Sequence, residues 1–156
     1  MRIERRGLMQ VGVLAGLAGG LAEVLWISTY AAGSQVSAAP VARGVAEAVG
    51  LGRAGAVSVG VAVHMALAAA LGVIVVAALR ALPVRRRGWR ADLALTLAAL
   101  GAVWAFNFLV LLPAISPDFV VIVPMPVSLA SKLLFGLATF VVMEASDARA
   151  TVNSRR

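Results

Sequence analysis

Residues 127–144 read Val-Ser-Leu-Ala-Ser-Lys-Leu-Leu-Phe-Gly-Leu-Ala-Thr-Phe-Val-Val-Met-Glu, an apolar run with Lys132 lodged inside it. The run has about the length that crosses ~30 Å of hydrocarbon as a helix. A lysine one and a half turns into such a helix costs on the order of 2.5–3.5 kcal/mol at mid-bilayer. It is tolerated when the ammonium snorkels to the interface or meets a partner. The rest of the chain therefore has to be searched for that partner.

Three further apolar spans precede this one, at about 7–29, 55–82 and 91–112. Each holds one strongly polar residue well away from its cytoplasmic end: Glu23 in the first, His64 in the second and Asn107 in the third. The composition fits this organisation. Hydrophobic residues make up 62% of the 156 and charged residues 13%, which is too few charges to cover a soluble surface. Residues 1–144 are read as a single all-α membrane domain, a bundle of four transmembrane helices, followed by a polar cytoplasmic tail at 145–156 that is expected to fray.

The basic start Met1–Arg6 before an apolar run also resembles a secretory signal, with Tyr30–Gly33 as the cleavage site. Signal hydrophobic regions run to about 7–15 residues. This run is longer and carries Glu23 and Trp26 late, so retention as a membrane helix is expected.

The net charge of +7 would point to nucleic acid in a soluble protein. Here the arginines gather in short segments between spans, so no nucleic-acid partner is expected. Arg2, Arg5, Arg6, Arg80, Arg85, Arg86, Arg87, Arg90, Arg149, Arg155 and Arg156 fall on one side of the membrane, against Arg43 and Arg53 on the other. The positive-inside rule then puts both termini and the central loop in the cytoplasm, where the arginines meet anionic lipid headgroups. The alanine-, arginine- and glycine-rich composition suggests the inner (plasma) membrane of a bacterium.

In the first exterior loop, Ser37 with Pro40 marks a helix start. Val41, Val45 and Val49 then recur every four residues. A short interfacial helix along the membrane surface is expected there. Residues 113–126 carry prolines that forbid a continuous helix. The apolar centre of that connection, Phe119–Val123, is expected to dip into the outer interface or cap the bundle.

Gly12, Gly16 and Gly20, with Ala15 and Gly19 beside them, give the first helix a face that a neighbour can approach closely. Ala62, Ala66 and Ala70 in the second helix, and Ala94, Ala98 and Ala102 in the third, offer similar faces. Such faces serve packing inside the bundle or docking onto another membrane protein, and spacing does not separate the two.

With 1.5 Å per residue, Glu23, His64, Asn107 and Lys132 all fall roughly 8–14 Å below the outer boundary. One shared polar layer is therefore expected, with Trp26, Ser28, Thr29, Trp104, Ser128 and Ser131 close to it. Two readings are open. In one, Glu23 and Lys132 pair to fix helix register while Asn107 and His64 hydrogen-bond between helices. In the other, the four line a polar chamber that opens outward and acts on a ligand or a proton.

No metal or cofactor is expected. One histidine cannot give bis-histidine haem without a second copy of the chain, and His64, Glu23 and Asn107 are a sparse set for zinc or copper. The absence of cysteine removes thiolate chemistry. No His-Glu-x-x-His pair, Gly-x-Ser-x-Gly elbow, phosphate loop or dinucleotide fingerprint occurs, which argues against an enzyme. The expectation is a small accessory or structural subunit of a larger membrane complex. The alternative is a small homo-oligomeric transporter or ion- or proton-conducting protein using the polar layer.

Overall fold

A computed structural model describes residues 2–34, 37–51, 57–82 and 88–153. Arg53, Arg85, Arg86, Arg87, Arg155 and Arg156 lie outside these residues, as do the side chains of residues 2–6. The described residues form helices α1 (Arg2–Gly33), α2 (Ala38–Ala48), α3 (Val57–Ala81), α4 (Trp89–Phe106), a π-helical turn (Asn107–Leu111), α5 (Leu112–Ile115), α6 (Pro117–Val120) and α7 (Met125–Asn153). Four stretches are long and apolar enough to cross a membrane: Gly7–Gly33, Val57–Ala81, Trp89–Ile115 and Met125–Val152. This is the organisation of a multi-pass membrane protein. Helices are its natural element, because hydrocarbon offers no partner to an unpaired backbone N–H or C=O.

The bundle is built on α1, which packs along both α3 and α7, while α4 packs on α7 and barely touches α3. Two stripes of small residues on α1 explain this. On one face, a Cβ at Gly12 would lie 2.6 Å from the Cα of Val73, and one at Gly16 2.7 Å from the Cα of Ala69. The α1–α3 crossing is therefore backbone against backbone, and only glycine permits it. On the adjacent face, Ala15 is fully buried and the ring of Phe135 lies over Gly19. Thr139 donates to the Ala15 carbonyl at 3.5 Å, and the Trp26 indole N–H donates to the Val127 carbonyl at 3.0 Å. These contacts fix the antiparallel register of α1 and α7.

The alanine faces behave differently. Ala62, Ala66 and Ala70 on α3, and Ala94, Ala98 and Ala102 on α4, all point out of the bundle. Packing within the chain thus uses the glycine face and leaves both alanine faces free. Glycine brings backbones closer than alanine, and α1 has only two faces to give.

Proline 113 does not end the third span. It cannot donate to the Leu109 carbonyl, and its ring crowds that group. The helix widens into the π turn, in which the Leu112 N–H donates to the Asn107 carbonyl, and continues to Ile115. The chain then breaks at Ser116 (φ −154°, ψ 70°) and forms the single turn α6. Helix α7 runs without a break from Met125 to Asn153. Near that end Arg80 and Asp147 pair at 2.8 Å, joining α3 to α7 across an exposed surface.

Candidate functional site

Glu23 stands where the two stripes of α1 converge. It is three residues past Gly20, on the α3 side, and four past Gly19, on the α7 side, so helical geometry aims it between both neighbours. The carboxylate is almost fully buried, at 6% exposure. Lys132 Nζ lies 2.8 Å from its Oε1, and the Ser131 hydroxyl donates to the same oxygen at 3.2 Å. The other oxygen, Oε2, faces His64 Nε2 at 3.6 Å. That separation is beyond hydrogen-bond range, and both atoms are buried with no hydrogen-bond partner. The expected interhelical hydrogen bond from His64 is therefore not formed. The glycine crossing fixes the distance between α1 and α3, and it leaves this contact slightly open.

The α7 side is equally ordered. Ser128, the adjacent pair Ser131 and Lys132, Phe135 and Thr139 recur three or four residues apart and share one face of the helix. Phe135 is fully buried, and the Lys132 ammonium lies 5.0 Å from the centre of its ring. The lysine thus gains an anion and an aromatic face within one turn, which removes the need to snorkel.

Asn107 does not touch this ion pair by any hydrogen bond or salt bridge. It lines, together with Glu23, His64 and Lys132, a single cavity of about 620 Å³. Such a volume lies within the ~300–1,000 Å³ of small-molecule sites. The remaining lining is mostly apolar. The Trp104 indole N–H donates to the Ser128 hydroxyl at 3.0 Å, which itself donates to the Met125 carbonyl at 2.9 Å. Trp104 is thereby held against the wall, with Phe108 stacked on it at 5.9 Å and Phe119 tilted against Phe108 at 6.4 Å.

The position of the cavity follows from the packing. The glycines of α1 draw α3 close, and α7 holds α4, but α3 and α4 flank an open space between them. At the end away from the termini this space is roofed by α2 and α6. A Cβ on Gly44 of α2 would sit 2.5 Å from the Phe119 ring of α6, and Val123 beside it is buried. The valines that recur along α2 (Val41, Val45 and Val49) line the cavity. Sequence periodicity identified that apolar face but could not say that a cavity, rather than lipid, would receive it. The sequence put Trp104 near the polar layer and Phe119 in a segment that caps the bundle or dips into the interface, but the contact of both with Phe108 had no sequence signal, because Phe119 comes from a separate turn.

Among the described residues, no group of three His, Cys, Asp or Glu side chains is placed to hold a metal ion. Comparison with protein-family models, curated proteins and solved structures gives no match for this chain. Its chemistry is therefore read from its own geometry.

Proposed function

We propose that this protein is a small membrane-embedded binding protein of the transporter class, whose site is the cavity floored by Glu23, Lys132 and His64. The single observation that carries this reading is a mainly apolar cavity of about 620 Å³ in whose lining Glu23, Lys132, Ser131 and His64 lie together. Small-molecule sites have that design: apolar walls supply affinity and a few fixed polar groups orient the ligand. A bare pore for ions or protons would need a polar path, and these walls are not polar. An ion pair kept only for stability is also poorly explained, since apolar packing of equal volume does as well or better.

The arginine distribution orients the bundle with both termini in the cytoplasm of a bacterial cell and the arginines on anionic headgroups of the inner membrane. The cavity then lies in the outer half of the bilayer, and α2 and α6 lie along its outer surface. The role is non-enzymatic.

Native mass spectrometry of the detergent-released protein tests the reading. The wild-type chain is expected to retain a bound small molecule at a stoichiometric level. Val103→Trp, which fills the cavity from α4, should lose that molecule while staying monodisperse. A wild-type protein with no bound mass, under conditions that preserve other lipid contacts, overturns the reading.

A second reading, an accessory subunit of a larger membrane complex, is favoured by the alanine faces of α3 and α4. Both are exposed on the bundle and would let a helix from a partner, or from a second copy, approach closely. Stoichiometric co-purification of another membrane protein in the same spectra would carry that reading instead.

A further inference from the structure

We infer that Glu23 and His64 form a proton-binding site, in which a proton taken up by the imidazole is held between His64 Nε2 and Glu23 Oε2. This goes beyond the binding reading and does not depend on what the cavity holds. It rests on a contact that the cluster leaves unmade.

The two oxygens of Glu23 have different surroundings. Oε1 has Lys132 Nζ at 2.8 Å and the Ser131 hydroxyl at 3.2 Å. Oε2 has neither, and faces His64 Nε2 at 3.6 Å. Both of the facing atoms are buried and lack a hydrogen-bond partner, so water does not reach them to supply one. Leaving two such atoms unpaired is costly. A heavier atom does not fit between them, because two hydrogen bonds of ~2.8 Å in line need roughly 5.6 Å. A proton does fit. An imidazolium N–H closes on a carboxylate to about 2.7–2.9 Å, somewhat less than the 3.6 Å seen. Side-chain rotation supplies that small movement, while the glycine crossing holds the backbones of α1 and α3 where they are.

The chemistry of the partners suits the task. Histidine is the side chain that exchanges protons near neutral pH, and its two nitrogens let it receive a proton on one edge and donate from the other. The His64 side chain is 25% exposed and lines the cavity, although its Nε2 is buried against Glu23. A proton arriving at the open part of the ring adds to a nitrogen lone pair, and no bond between heavier atoms changes. Its charge is met by Glu23, which then lies between two cations, Lys132 at Oε1 and His64 at Oε2.

The other ionisable groups nearby do not take this proton. Among the described residues that line the cavity, the ionisable side chains are Glu23 of α1, His64 of α3 and Lys132 of α7. Helix α4, the π turn and α6 contribute none, and Arg43 and Glu47 of α2 are exposed outside the lining. Arg53 lies outside the described residues, and an arginine keeps its charge throughout. Carboxylate and histidine relays within a membrane serve pumps and carriers, so the bound proton is the coupling ion of a carrier.

The chain has one histidine, so labelling with ring-¹⁵N histidine puts only His64 in the spectrum. The full-length protein in phosphatidylcholine nanodiscs is followed by NMR as it is acidified from about pH 8. The expected result is uptake of one proton by the ring. In the protonated ring, Nε2–H should lie at lower field than Nδ1–H and exchange with water at least about tenfold more slowly, the effect of one hydrogen bond to a charged acceptor. Glu23→Leu combined with Lys132→Met removes the acceptor and leaves no stranded charge, and it should erase both differences. Ser131→Ala, which loses only a donor to Oε1, should keep them. A ring that stays neutral until the protein unfolds overturns the inference. So do two N–H groups that behave alike in the wild type, or differences that survive in the double variant, since burial alone would then explain them. The wild-type ring is its own reference, so a variant that does not fold leaves the test standing. None of these outcomes depends on a molecule retained in the cavity, so this inference and the binding reading fail separately.

Discussion

The contact between Glu23 and Lys132 makes a demanding prediction about coupling. Glu23→Gln keeps the size of the side chain and its ability to accept from Ser131, but it removes the charge 2.8 Å from Lys132 Nζ. Both side chains are well buried, at 7% and 14% exposure, so the stranded ammonium has little water to turn to. Breaking a buried pair by removing one partner costs about 3–5 kcal/mol. Lys132→Met strands Glu23 in turn and should cost a similar amount, with the cation–ring contact to Phe135 lost as well. The double variant leaves no charge behind. It should recover most of the stability, giving a coupling energy of about 3 kcal/mol in the double-mutant cycle. Reversible unfolding in mixed micelles, followed by circular dichroism on the four proteins, measures it. Additive losses, with the double variant worse than either single one, would refute a direct pair. The expected recovery also identifies which function assays remain interpretable, because the double variant would be folded yet lack the polar floor.

Other sites give sharper contrasts in the same assay. Gly16→Val should prevent close packing of α1 on α3 and abolish folded protein, since even a Cβ there would lie 2.7 Å from the Ala69 Cα. Gly101→Ala, with nothing within 4 Å of the new carbon, should instead be neutral or stabilise by up to about 1 kcal/mol. Ser128→Ala removes the acceptor of the Trp104 indole and should cost about 1–2 kcal/mol, with a change in tryptophan emission that Ser146→Ala does not produce. Arg80→Ala breaks a pair whose members are 33% and 62% exposed, so its effect should stay below about 1 kcal/mol and shrink further in high salt.

The four spans were written in the sequence because the bilayer imposes a length and a polarity that any reader of residues 7–29 or 127–144 can count. The shared level of Glu23, His64, Asn107 and Lys132 was legible for the same reason: a helix of known rise converts residue number into depth. Depth alone, however, says nothing about direction around the helix axis. Only tertiary packing decided that Glu23 lies between α3 and α7, that His64 stops 3.6 Å short of it, and that Asn107 lines the same cavity without bonding to it. It also decided which small-residue faces are used. Gly12, Gly16 and Gly20 and the three-alanine faces have the same spacing, but one helix can be central only once, and the alanines were left outside. A chamber around the four polar residues was one of the two sequence readings, but its mostly apolar walls had no sequence signature. It exists because α3 and α4 each follow a different partner, and a space between two helices belongs to neither of their sequences.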